Sequence, residues 1–149
     1  MAIALRDLAA NIAARRARRA TAFLAVRALR PQPAAAVGHV IVSWLRSAYA
    51  WQTRDGSVKP PYWILKREEQ TLLLRAMKGD RRATWHDIDE LLAVGARHNV
   101  DAMAIAAPAG VPETEELLGT QWEDVRAWGP SELERIYVEI EHELGGVGF

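Results

Sequence analysis

The chain has 149 residues, of which 50% are hydrophobic and 26% charged, with no cysteine and a formal net charge of zero. That length suits one domain with a core of its own, and the composition is that of a globular chain, not a disordered one. The lack of cysteine excludes disulfides, zinc–thiolate sites, iron–sulfur clusters and thiol nucleophiles together.

From Ile3 to Arg30 the pattern predicts a long helix rich in alanine and arginine, stopped by Pro31-Gln32-Pro33. Proline lacks the N–H a helix needs and clashes with the preceding turn. At 100° per residue, Leu5, Leu8, Ile12, Phe23 and Val26 share an arc of about 60°. Arg15, Arg16 and Arg19 fall on or beside the same arc. Guanidinium groups in an apolar stripe need water or an anionic partner, because burying them unpaired is costly. Residues 1–30 are therefore read as a helix projecting from a single domain that spans 1–149.

A second helix follows Pro33, with Val37, Ile41, Trp44, Leu45 and Ala48 on one face, and ends near the turn cluster Arg54-Asp55-Gly56-Ser57. After Pro60-Pro61, Leu65, Leu72, Leu73 and Ala76 repeat at helical spacing, and Lys66 to Gln70 are good helix formers. A third helix is the expectation there. The rival is a hairpin of Tyr62–Lys66 and Thr71–Met77 about the turn Arg67–Gln70. Thr84 and Asp87 resemble a capping box opening a fourth helix, with Trp85, Ile88, Leu92 and Gly95 on one side.

Val100–Ala107 reads as a short buried strand or as more helix, since short apolar runs are not separated by period. Pro112 opens a short acidic helix ended by Gly119, and Trp122 to Trp128 makes an irregular or helical link. The last helix begins with Ser131 and Glu134 as a capping box and buries Leu133, Ile136, Tyr137, Ile140 and Leu144. Its opposite face carries Glu132, Glu139 and Glu143, and Gly145-Gly146 is expected to stop it. The whole predicts a mainly α protein, a compact bundle of about five to six helices with room for a short strand or hairpin. The alternative is α+β, with strands near 62–77 and 100–107.

Net neutrality hides a gradient. Residues 1–50 hold eight basic and one acidic residue, residues 51–100 nine and seven, and residues 101–149 two and eleven. No membrane span is expected, because Arg46 interrupts the most apolar stretch, Ala34 to Trp51, short of the roughly 20 residues a bilayer needs. The N-terminus lacks the basic-then-apolar order of a secretory signal, so a cytoplasmic protein, or one assembled into a virion, is the expectation.

Catalytic patterns are sparse. Glu139 and His142 make one E-x-x-H spacing, but a di-iron bundle needs two. His142-Glu143 begins a zinc-protease motif that fails at Gly146. His86, Asp87, Asp89 and Glu90 cluster in a first helical turn, where the helix dipole favours carboxylates regardless of function. His39 reads as a core or interface histidine, and His98 as a cation at a helix end. Phosphate-loop and nucleophile-elbow sequences are absent. No catalytic residue, metal ligand or cofactor is assigned.

Ala104 to Val111 superficially matches the middle of a helix-turn-helix, but Glu113, Glu115 and Glu116 would then face phosphates. The hairpin and Val100–Ala107 strand would also fit a restriction-nuclease-like α/β core. There Asp55 and Lys66 have suitable spacing, but Ile64 occupies the place of a metal-binding carboxylate, so such a domain could hold nucleic acid without cutting it.

The leading expectation is a non-enzymatic assembly or adaptor subunit, self-associating or part of a larger phage or nucleoprotein complex. Opposite charge at the two ends favours such contact. Trp122, Trp128, Glu132, Glu139 and Glu143 are the candidate interface residues, tryptophan being a favoured anchor. The rival is a nucleic-acid binder using Arg15, Arg16, Arg18, Arg19, Arg27 and Arg30.

Overall fold

The structure, a computed structural model, describes residues 2–54, 58–112 and 125–147, with side chains described at 7–54, 58–112 and 125–140. Helix α1 spans Ala2–Arg27 and α2 Ala34–Tyr49. Strands β1 (Gln52–Thr53), β2 (Tyr62–Arg67) and β3 (Gln70–Ala76) follow, then α3 (Trp85–His98), β4 (Ala102–Ala106), β5 (Val125–Trp128) and α4 (Pro130–Val147).

The five strands form one mixed sheet in the order β1-β2-β3-β4-β5. Strand β2 is antiparallel to both neighbours, whereas β3, β4 and β5 run parallel. The fold is thus α+β, four helices and a five-stranded sheet among the described residues, and not the expected bundle of five to six helices. The hairpin and strand of the alternative reading are the elements present.

Burial on both faces explains the failure of the helical reading at 62–76. Leu72, Leu74 and Ala76 face α2 and α4, and Leu73 and Met77 face α3. A strand covered on both sides reads as a continuous apolar run, which a helical period matches by chance. The helix formers at 66–70 became the hairpin instead. Arg67 pairs with Gln70, so the turn is Glu68-Glu69, and Glu68 adopts a left-handed φ of 55°. Tertiary pairing overrides propensity there. Ala102–Ala106 lies parallel to β3 as a buried strand, and Val125–Trp128 is a strand where an irregular or helical link was expected. The acidic helix expected from Pro112 to Gly119 and the residue Trp122 lie outside the described residues, apart from Pro112 itself.

Three layers result. Helices α2 and α4, with the end of α1, cover one face of the sheet through Val26, Leu29, Ile41, Leu45, Leu133 and Ile136. Helix α3 covers the other with Ile88 and Leu91. On the first face Gly38 is required, because a Cβ there would fall inside the Trp63 ring.

Helix ends follow their caps. Thr84 and Asp87 make the expected box, the Asp87 carboxylate accepting from Thr84 N at 2.8 Å. In α4 the box shifts. Pro130 takes the first helical position, and Glu132, not Glu134, accepts from Gly129 N at 3.1 Å. The helix also continues through Gly145-Gly146 to Val147.

Candidate functional site

Among the described residues, the buried side chains of helix α1 lie in its last turns. Ala22, Val26 and the following Leu29 are buried, while every residue from Asp7 to Ala17 is exposed. Leu8, Ile12, Phe23 and Leu24 are 55%, 42%, 51% and 63% exposed, which is unusual for large apolar side chains on one helix. Arg15, Arg16, Arg19, Arg27 and Arg30 are exposed and Arg18 is half-buried. Arg27 lies 6.0 Å from the centre of the Phe23 ring.

The acidic helix α4 packs alongside α1. Glu134 and Glu139 share a cavity of about 530 Å³ with Arg19. Among the described residues no ion pair joins the six candidate arginines to any carboxylate. Among the described residues the opposite charges are adjacent but not clamped. Of the candidate interface residues, Trp128 and Glu132 are half-buried and Glu139 is exposed, whereas Trp122 and the side chain of Glu143 lie outside the described set.

The His86–Glu90 group is structural in its geometry. Asp87 is 1% exposed and receives Arg75 through its backbone oxygen at 2.7 Å and its carboxylate at 3.2 Å. Arg75, 8% exposed, also reaches Glu90 at 3.0 Å and lies over the Tyr62 ring. Burial pushes the Asp87 carboxyl upward. The hydrogen bonds from Thr84 and the charges of Arg75 and Arg81 outweigh it and hold the group below its ordinary value. His86 pairs with Glu90 at 3.0 Å on the surface. Asp87 therefore caps α3 and locks a buried guanidinium in place.

A second arrangement brings together residues far apart in sequence. Alternation along the strands puts Arg67, Leu72, Arg126 and Trp128 on the α2–α4 face. On this face β4 contributes only Ala102, Ala104 and Ala106, whose small side chains leave the floor low. The resulting cleft, of about 390 Å³, is lined by Tyr49, Trp51, Arg67, Arg126, Trp128, Glu132 and Arg135 among others. Arg67 stacks over Trp51 at 4.8 Å and donates to the Tyr49 carbonyl at 3.4 Å. Arg126 and Arg135 are exposed and join no carboxylate among the described residues. Burial, then the charge of Glu139, raises the Tyr49 phenol above 10, so its hydroxyl stays protonated.

Sequence reasoning missed Arg67, Arg126 and Arg135. Arg126 and Arg135 stand alone in the sequence and Arg67 follows Lys66 in a run of helix formers, so only the sheet register unites Arg67 with Arg126. Lys66, weighed with Asp55 for a nuclease-like metal site, and Ile64, which occupies the place of the metal-binding carboxylate, lie on the opposite face of β2, Ile64 buried against α3 and Lys66 exposed. Asp55 lies outside the described residues. Among the described residues no group of three or more metal-ligating side chains occurs, and no helix is long and apolar enough to cross a membrane. Compared with known protein families, curated proteins and solved structures, the chain matches none.

Proposed function

We propose that this protein is a non-enzymatic assembly or adaptor subunit working by surface contact, with α1 as the contacting element and a second copy of the chain as its partner. The observation that carries the reading is the exposure of Leu8, Ile12, Phe23 and Leu24 beside arginines that join no carboxylate among the described residues. Three of these, Leu8, Ile12 and Phe23, fall within an arc of about 60° of the helix. Fully burying one such side chain is worth roughly 1.5–3 kcal/mol, so this stripe rewards whatever covers it.

A second copy offers the matching charge. Residues 101–149 hold eleven acidic and two basic residues, and the whole chain is neutral, so copies attract without accumulating charge. Asp87 fits this reading too, since its carboxylate is committed to Thr84, Arg75 and Arg81 and is not held ready for chemistry.

Chromatography with light scattering at low and high salt tests the proposal. The expected result is a mass above the 16.6 kDa of one chain at low salt, falling toward it as salt rises. A single-chain mass at every salt concentration overturns it.

One observation favours a second reading, a nuclease-like α/β domain that holds nucleic acid without cutting it. That reading requires the hairpin β2–β3 and the strand β4, and it finds Ile64, not a carboxylate, in β2. It predicts ultraviolet absorbance from nucleic acid in the purified protein, lost at high salt.

A further inference from the structure

The cleft between α2, α4 and the sheet shares Tyr49 and Arg135 with the cavity at Arg19 but has its own chemistry. Arg67, Arg126 and Arg135 converge on it from β2, β5 and α4. One carboxylate, Glu132, shares the lining, and its Oε2 is engaged by Gly129 N at the start of α4. The described lining thus carries three positive charges against one negative. A planar guanidinium presents a fork of donors that matches phosphate or carboxylate oxygens. Arg67 is already fixed by the Trp51 ring and the Tyr49 carbonyl, so less freedom is lost when it meets an anion.

The remaining walls are aromatic. Trp128 is half-buried, Tyr49 is 36% exposed, and both line the same space. A volume of about 390 Å³ lies within the roughly 300–1,000 Å³ of small-molecule sites. Inorganic phosphate alone would leave the aromatic walls wet. The geometry points to a ligand that joins a phosphate to a flat ring, namely a nucleotide, with phosphate on Arg126 and Arg135 and base against Trp128 and Tyr49. Free nucleoside monophosphate and a unit of a single strand share that chemistry, since aromatic platforms beside cationic grooves hold both.

Titration with each nucleoside 5′-monophosphate, with a short single-stranded oligonucleotide and with inorganic phosphate, followed by tryptophan fluorescence and calorimetry, tests this. One nucleotide per chain should bind and quench fluorescence, with inorganic phosphate weaker by about tenfold or more. The relative affinities of monophosphate and oligonucleotide identify the source. The double variant Arg126→Ala/Arg135→Ala changes two exposed side chains, and circular dichroism checks its fold. It should lose about tenfold or more in affinity, and Arg126→Lys should lose less, keeping the charge but not the fork. Absence of binding at millimolar nucleotide overturns the inference. So does binding that the double variant leaves unchanged, or inorganic phosphate that binds as tightly. Arg135 also lines the cavity at Arg19 of α1, so the single variant Arg126→Ala, which lies outside that cavity and should also weaken binding, keeps the outcome separate from the self-association test.

Discussion

The two faces of the sheet treat arginine in opposite ways. On the α3 face Arg75 is buried, and two carboxylates and a backbone oxygen hold it. On the α2–α4 face and along α1, arginines reach solvent without a carboxylate partner among the described residues. A buried guanidinium left unpaired would destabilise the fold, so Arg75 belongs to the architecture. The exposed ones add little to stability and are available to a partner. Charge alone therefore identifies neither role. The partners do.

The sharpest way to break this contrast is Asp87→Ala. It removes the Asp87 half of the α3 capping box and one of the two carboxylates on Arg75, leaving Glu90 and the backbone oxygen of residue 87, and a loss of about 2–4 kcal/mol is expected in denaturant unfolding. Next comes the apolar packing of the opposite face. Gly38→Ala drives a methyl into Trp63, with an expected loss of about 1–3 kcal/mol in the same measurement. That result would show the α2–α4 layer to be as tightly packed as its counterpart.

Acid provides a third test. Folding depresses the Asp87 carboxyl, so its contribution is fully present above the unfolded value near 3.8 and is lost as pH falls through the lower folded one. Asp87→Asn should therefore be less stable than the parent at neutral pH, and the gap should narrow as pH drops below about 4. Unfolding curves taken across that window would read it, and a constant gap would deny the carboxylate its role. The smallest expected effect is Arg126→Ala, within about 0.5 kcal/mol of the parent in stability.

Much of this was legible in the residues. Thr84 and Asp87 announced the start of α3, and Leu133, Ile136, Tyr137 and Ile140 gave α4 its core face. The sheet was not, for two physical reasons. Burial on both sides erased the alternation of β3, and the hairpin turn was written in helix-forming glutamates. In β5 the alternation was present, with Val125 and Ala127 inward and Arg126 outward, but four residues are too few to outweigh a helical reading. The α1 arginines stood out because they are consecutive. Those of the cleft did not, since β2, β5 and α4 each supply one and only the folded chain gathers them.

Helix α1 is proposed here as a surface made to be covered. Scattering mass and melting temperature of the variant Leu8→Ser/Ile12→Ser/Phe23→Ser, measured beside the parent at low salt, test that claim most directly. The prediction is a single-chain mass of 16.6 kDa for the variant, a larger assembly for the parent, and closely similar melting. An assembly that survives all three substitutions unchanged would contradict it.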